Sequence, residues 1–205
     1  MRRILATLIV VLTLQASIAA AQKIAGASTV TPPAPVALDT TGLFQAKYVK
    51  VGDDLFIGGQ PTEKALRELR AQGVTTVVNL RTPAEMTRDV PFNEAELAKS
   101  LGMTYVYIPM RGNAEYPYSP AALDQFAQAM ASAQGKVLLH CTVAWRASHL
   151  WAAYLIGKRN VPDSIALVQT RQINLMDDHR MDGEKQPLEQ FLGRAVPRLG
   201  HGTAH

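Results

Sequence analysis

Cys141 is the only cysteine in this 205-residue chain, and it stands in "KVLLHCTVAWRASHL", residues 136–150, with Arg146 five positions further on. An apolar run, "KVLLH", leads into a short link. Arg146 to Lys158 then carries Leu150, Trp151, Tyr154 and Leu155 at helical spacing. A helix N-terminus presents unpaired N–H groups and a partial positive charge. That charge and a nearby Arg both favour thiolate over thiol. Successive N–H groups of the link can cradle an oxyanion such as phosphate. The planar fork of Arg146 can grip two phosphate oxygens at once. Nucleophile, cradle and clamp fall within six residues. A buried structural thiol and a helix-surface arginine are the plain alternatives, and the strand–Cys–loop–Arg–helix context weighs against both.

The elements that must position these residues follow from pattern and punctuation. "KYVKVGDDLFIGGQP" predicts two strands, Tyr48 to Val51 and Leu55 to Gly58, around a Gly-Asp-Asp turn. "TEKALRELRAQG" puts Leu66 and Leu69 on one helix face and stops at Gly73. "VTTVVNL" is a β-branched strand, followed by a helix through "NEAELAKSLG" that stops at Gly102, and then by the strand "MTYVYIPM". After the turn-rich "RGNAEYPY", Ser119 and Pro120 read as N-cap and N1 of a helix running to about Ser132. Pro162 opens another helix, "PDSIALVQTRQINL", and Gln186 to Ala195 a last short one. There are no internal repeats. This alternation predicts an α/β fold, a central mostly parallel sheet flanked by helices. Ligands then belong at the carboxyl ends of the strands, where Cys141 stands.

"HC-x4-R" resembles the signature loop of the protein tyrosine phosphatase superfamily, whose usual form has five residues between Cys and Arg. The shorter loop is similar to a bacterial branch, related to dual-specificity phosphatases, that includes the β-lactamase-hydrolase-like phosphatases. "LFIGGQPTEKALRELRAQGVTTVVNLRTPAE" resembles how those domains begin, and "NEAELAKSLGMTYVYIPM" their middle, so the likeness covers roughly residues 46 to 160. It implies a cysteine-phosphatase fold and hydrolysis of phosphate monoesters. Cys141 would be the nucleophile that forms a cysteinyl-phosphate. Arg146 would bind the phosphoryl group and stabilise its transition state. His140 would orient the loop and help hold the thiolate, with the Thr142 hydroxyl a candidate donor to the sulfur. Backbone N–H groups of Thr142, Val143, Ala144, Trp145 and Arg146 would cradle the phosphate. No metal or organic cofactor is implied. The partner is a phosphorylated small molecule or a phosphoprotein.

Several positions depart from that pattern. Ala144 stands where a Gly is common, so the loop loses a residue that tolerates positive φ. Trp145 is bulky where a small or polar residue is usual, and could wall the pocket or block it. Ala147 rather than a hydroxyl follows the Arg. The Asp that serves as general acid is absent from "RGNAEYPYSP", which offers only Glu115; Glu85 and Asp89, in "RTPAEMTRDVPF", are other carboxylates within reach. Arg81, at a strand end, reads equally as a guide for an anionic substrate or as half of a surface salt bridge. Gly58 and Gly59 read as a tight turn, and His149 as a packing or solvent-facing residue. Asp177, Asp178, His179 and Asp182 read as a solvated turn rather than a metal site. His201 and His205 fall in the tail.

The chain opens "MRRILATLIVVLTLQASIAAAQ", with a basic n-region at Arg2 and Arg3, an apolar run from Ile4 to Leu14, and Ala19-Ala20-Ala21 before Gln22. That is the pattern of a secretory signal peptide, residues 1–21, and implies a periplasmic or secreted protein. A flexible linker is expected at 22–43, a phosphatase-like domain at 44–196 and a disordered tail at 197–205. No later apolar stretch is long enough to span a bilayer, so no membrane association is expected after cleavage. Losing Arg2 and Arg3 takes the formal charge from +4 to +2, too mild for a nucleic-acid partner, and no basic stripe appears. The sequence sets no oligomeric state. Two rivals stay open. A four-residue spacing also resembles some rhodanese-type sulfurtransferase loops, which need no general acid. A non-catalytic binder of a phosphorylated ligand would accommodate Ala144, Trp145 and the missing acid.

Overall fold

The computed structural model describes residues 31–176 and 185–196. In chain order its elements are β1 (Pro35–Ala37), β2 (Tyr48–Val51), β3 (Leu55–Gly58), α1 (Glu63–Ala71), β4 (Val74–Asn79), α2 (Pro83–Asp89) and α3 (Glu94–Ser100). There follow β5 (Thr104–Tyr107), α4 (Pro120–Ser132), β6 (Lys136–His140), α5 (Trp145–Arg159), α6 (Asp163–Arg171) and α7 (Pro187–Leu192). The strands form one sheet in the order β1-β2-β3-β6-β4-β5. β3, β6, β4 and β5 run parallel, and β1 and β2 add an antiparallel flank.

The centre is parallel because its strands are apolar on both faces and need helices on both sides. Alternate residues serve the two layers. Ile57, Val78 and Leu139 point to one core with Phe126 of α4, Leu150 of α5 and Phe191 of α7. Phe56, Val77 and Leu138 point to the other, with Leu66 and Leu69 of α1 and Ala98 of α3. Helix ends follow local chemistry. Thr62 caps α1 and Ser119 caps α4, with Pro120 at N1. Gly73 and Gly102 take positive φ just beyond α1 and α3.

The register places the functional end. Gly58 pairs with His140, His140 with Asn79, and Asn79 with Tyr107, so four strands finish in line. The chain therefore leaves the sheet at Gly59, Cys141, Leu80 and Ile108 on one shared rim.

Three local expectations differ from the structure. The described part of the expected linker supplies β1, paired with β2 from Pro35↔Val51 to Ala37↔Val49. A Pro-bearing run with no apolar period can still form a three-residue edge strand, which asks only for backbone partners on one side. The "RTPAEMTRDVPF" connection contains α2, and the helix opened by Pro162 ends at Arg171, leaving Ile173 and Leu175 buried in the following turn. No helix among the described residues is long and apolar enough to cross a membrane. Asp177, Asp178, His179, Asp182, His201, His205 and the expected leader and tail lie outside the described residues.

Candidate active site

Cys141 directly follows β6 and is 1% exposed, its N–H donating to the Gly58 carbonyl at 3.3 Å. The carbonyls that follow are tied down. Thr142 O accepts from Gln60 N at 3.0 Å, Val143 O from Asn174 Nδ2 at 2.6 Å, and Ala144 O from Ser148 N and Oγ at 2.9 and 2.7 Å. With these carbonyls committed to neighbouring segments, the N–H groups on the other side of the same peptide planes are left to meet an anion. Among the described residues no acceptor takes the N–H of Thr142, Val143, Trp145 or Arg146. Ala144 makes the short loop close. It adopts φ 66°, ψ 1°, a left-handed conformation that strains any residue with a Cβ, and caps α5 without a side-chain hydrogen bond. Gly59 lets the loop approach: a Cβ there would lie 1.7 Å from Gln45 O and 2.7 Å from Thr142 O. Gly58 ends β3 and Gly59 bridges Val143, so the pair forms no tight turn; they close a backbone clasp.

The fork of Arg146 is already engaged. Nη1 donates to Glu85 Oε2 at 2.8 Å and to the Met110 and Leu80 carbonyls at 2.8 and 3.2 Å. Nη2 donates to Glu85 Oε1 at 2.7 Å and to Thr142 Oγ1 at 3.0 Å. Arg111 and the Thr142 hydroxyl also donate to Glu85 Oε1, at 3.1 and 3.2 Å, and Thr82 N donates to Oε2 at 2.9 Å. Burial pushes the Glu85 carboxyl up, but Arg146 and the Thr82 groups outweigh it and hold it at about 2. Burial likewise works against the Arg146 charge, and Glu85 more than restores it. Glu85 therefore stays a carboxylate and orients Arg146, with no proton to give.

The other carboxylates are placed elsewhere. Glu115 is exposed, and its carboxylate pushes the neighbouring Tyr116 phenol above its ordinary value. Among the described residues, no hydrogen bond or ion pair joins Glu115 to Cys141 or Arg146. Asp89 is paired with Arg81 at 2.6 Å and with Arg88 at 2.6 and 2.8 Å. The Thr142 hydroxyl faces Glu85 and Arg146 instead of the sulfur. Trp145 packs edge-on to Tyr118 at 6.5 Å and beside His149 at 4.4 Å, which makes it a wall of the loop. His149 is buried, its Nδ1 3.0 Å from Trp145 O.

Behind the loop lies a polar layer that carries no sequence motif. His140 Nε2 faces Glu94 Oε1 at 2.9 Å. Gln60 Nε2 donates to Glu94 Oε2 at 2.5 Å, and Asn79 Nδ2 donates to Glu94 Oε1 at 3.2 Å and to Tyr105 Oη at 2.8 Å. Arg81 belongs here as well. It is fully buried, donating to Gln60 Oε1 at 2.9 Å, so it is no entry guide; it does form the expected salt bridge, with the partly exposed Asp89, but from a buried position. Burial pushes the Glu94 carboxyl up, but His140, Gln60 and Tyr105 bring it below its ordinary value. Tyr118, missed in the sequence, is 6% exposed, wedged between Trp145 and Phe191, and its phenol is pushed up to about 12 by burial.

A parallel sheet with a Cys-to-Arg loop joining its central strand to a helix N-terminus defines the protein tyrosine phosphatase class of fold. The chain belongs to the family of the phosphatase-like domain of β-lactamase hydrolase-like proteins, whose model matches residues 47–157. It is 32% identical over 108 residues to the β-lactamase hydrolase-like protein of Xylella fastidiosa (strain Temecula1), covering 52% of this chain and 24% of that protein. The chain thus spans about a quarter of the length of that relative. A structure from Shewanella putrefaciens CN-32, provisionally classed as a phosphatase, is 25% identical with a TM-score of 0.56, covering 75% of this chain and 95% of that one. PTPMT1, 21% identical, shares the fold at a TM-score of 0.56 over 71% of this chain and 92% of its own.

Proposed function

We propose that the chain hydrolyses phosphate monoesters through Cys141. The observation that carries this reading is the loop itself: a cysteine at its base, carbonyls tied to neighbouring segments, N–H groups that meet no acceptor among the described residues, and an arginine held by Glu85. The Cys141 thiolate attacks phosphorus, the S–P bond forms as the P–O bond to the leaving group breaks, and loop N–H groups and Arg146 bear the charge on the equatorial oxygens. Water then attacks the cysteinyl-phosphate, releasing inorganic phosphate and the thiolate. With Glu85 and Asp89 committed to arginines, the leaving oxygen takes its proton from solvent, which favours aryl over alkyl esters. The substrate is a phosphorylated small molecule or a phosphoprotein, and a dual-specificity range belongs to the same proposal. So does export to the periplasm, whose support is the basic pair, apolar run and alanines of residues 1–21.

The test is phosphate release from p-nitrophenyl phosphate at pH 5 to 8 under reducing conditions, with Cys141→Ser and Arg146→Ala beside the wild type. Turnover abolished by both substitutions supports the reading. One observation favours a second reading, sulfur transfer: both carboxylates near the site are spent on arginines, and sulfur transfer needs no acid. Cys141 would take the outer sulfur of thiosulfate as a persulfide, release sulfite and pass the sulfur to cyanide as thiocyanate. Thiocyanate production without phosphate release would replace the first reading. Neither activity, with ligand binding unaffected by Cys141→Ser, would leave a binding module.

A further inference from the structure

Glu94 takes no part in the chemistry above, yet it is among the most completely buried charged groups of the described residues, 1% exposed against 0% for His140. Sealing a carboxylate away from water is costly unless donors surround it. Here His140 Nε2, Gln60 Nε2 and Asn79 Nδ2 all aim at its two oxygens. An acceptor at the centre of three donors requires a carboxylate, and it requires the proton of His140 to sit on Nε2. The other ring nitrogen, Nδ1, is buried with no hydrogen-bond partner among the described residues. Glu94 also reaches the loop twice: through His140 into Cys141, and through Gln60, whose N–H holds Thr142 O at 3.0 Å.

We infer that Glu94 is a positioning residue for the Cys141 loop: it fixes the His140 ring with its proton on Nε2 directly behind the cysteine, and holds the loop a second time through Gln60. The inference rests on Cys141 being the nucleophile. The other charged or titratable groups near the pair act from different sides. Tyr105 of β5 faces Glu94. Arg146 of α5 and Tyr118 lie near Cys141, and Glu85 of α2, with Arg111, lies against Arg146. Arg146 is already balanced by Glu85 at 2.7 Å, so it does not substitute for His140.

The test is the rate of Cys141 alkylation by iodoacetamide at pH 6 and pH 9, which needs no substrate. Wild type, Glu94→Gln, His140→Asn and the double variant are compared, each checked for folding by its thermal transition. The expected result is a roughly tenfold slower reaction of Glu94→Gln at pH 6, nearly equal rates at pH 9, and no further effect of Glu94→Gln when His140 is absent. A fast wild type matched at pH 6 by a folded Glu94→Gln overturns the positioning role alone. A wild type as slow at pH 6 as a free cysteine overturns the nucleophile as well. Should Glu94→Gln not fold, ¹⁵N spectra of histidine-labelled wild type decide: a protonated Nε2 on His140 supports the assignment, and a proton on Nδ1 alone overturns it.

Discussion

Glu85 holds Arg146 with both carboxylate oxygens, Oε1 2.7 Å from Nη2 and Oε2 2.8 Å from Nη1. The same carboxylate closes the capping box of α2 with Thr82, so one short helix positions the arginine of the loop. Glu85 is 5% exposed, and removing one partner of such a pair leaves the other uncompensated. Glu85→Gln should therefore lower stability by about 2 kcal/mol at pH 7, measured by urea unfolding. The folded-state value, about 2 against an ordinary 4.5, gives the sign of the pH dependence. The contribution is complete above pH 4.5 and drains as pH falls toward 2. The gap between wild type and Glu85→Gln should narrow over that window; a constant gap would contradict the ion pair.

Gly59 and Gly58 are adjacent, yet they should tolerate a methyl group very differently. At Gly59 the new Cβ would lie 1.7 Å from a backbone carbonyl of the 44–47 segment, which cannot move without opening its bond from Gln45 N to Gln60 O. At Gly58 the nearest atoms, at 2.8 and 2.9 Å, belong to the Phe44 ring, which can shift. Gly59→Ala should cost more than about 3 kcal/mol or prevent folding, and Gly58→Ala about 1–2 kcal/mol. Equal unfolding midpoints for the two variants would refute the clasp.

Ala144 sets two effects of similar size against each other. Relieving its left-handed backbone is worth about 1–2 kcal/mol, while deleting its fully buried methyl costs about 0.8 kcal/mol. Glycine also has more freedom to lose on folding, about 0.5–1 kcal/mol. Ala144→Gly should thus change stability by less than about 1 kcal/mol, although glycine is the natural residue for this φ. Ala144→Val, with a β-branched side chain at the same φ and no space, should destabilise by more than about 2 kcal/mol. Thermal unfolding of the pair separates strain from packing.

Much of this architecture is legible in the sequence because punctuation and periodicity agree there. Gly73, Gly102, Ser119 and Pro120 each mark a boundary through a local requirement that tertiary packing does not override. The Cys141 loop is legible for the same reason, a strand running into a helix N-terminus. α2 is harder to see, since seven residues give no apolar period; its one signal is Thr82 and Glu85 spaced as a capping box with Pro83 between them. Glu94, Gln60 and Asn79 carry no signal of their own. Each is an ordinary surface type in an ordinary window, and only the register that aligns Asn79 with His140 brings them behind the cysteine. Arg81 misleads in the same way, because a fully buried arginine is rare.

Thr142 tests how the loop accepts an anion. Its hydroxyl takes a hydrogen bond from Arg146 Nη2 at 3.0 Å and gives one to Glu85 Oε1 at 3.2 Å. Nη2 has two N–H groups, one spent on Glu85 and the other on Thr142, and Nη1 is spent on Glu85 and two carbonyls. Of the Arg146 side-chain donors, only Nε–H meets no acceptor among the described residues. An oxyanion that is to be gripped by two nitrogens must then displace the Thr142 hydroxyl from Nη2. Thr142→Ala removes that competitor at a cost of about 1 kcal/mol in stability. Inhibition of p-nitrophenyl phosphate turnover by orthovanadate should tighten about threefold, an exchange of one hydrogen bond for a charge-assisted one. Weaker inhibition would mean that the hydroxyl turns to bind the anion itself, and that Arg146 holds it through Nε alone.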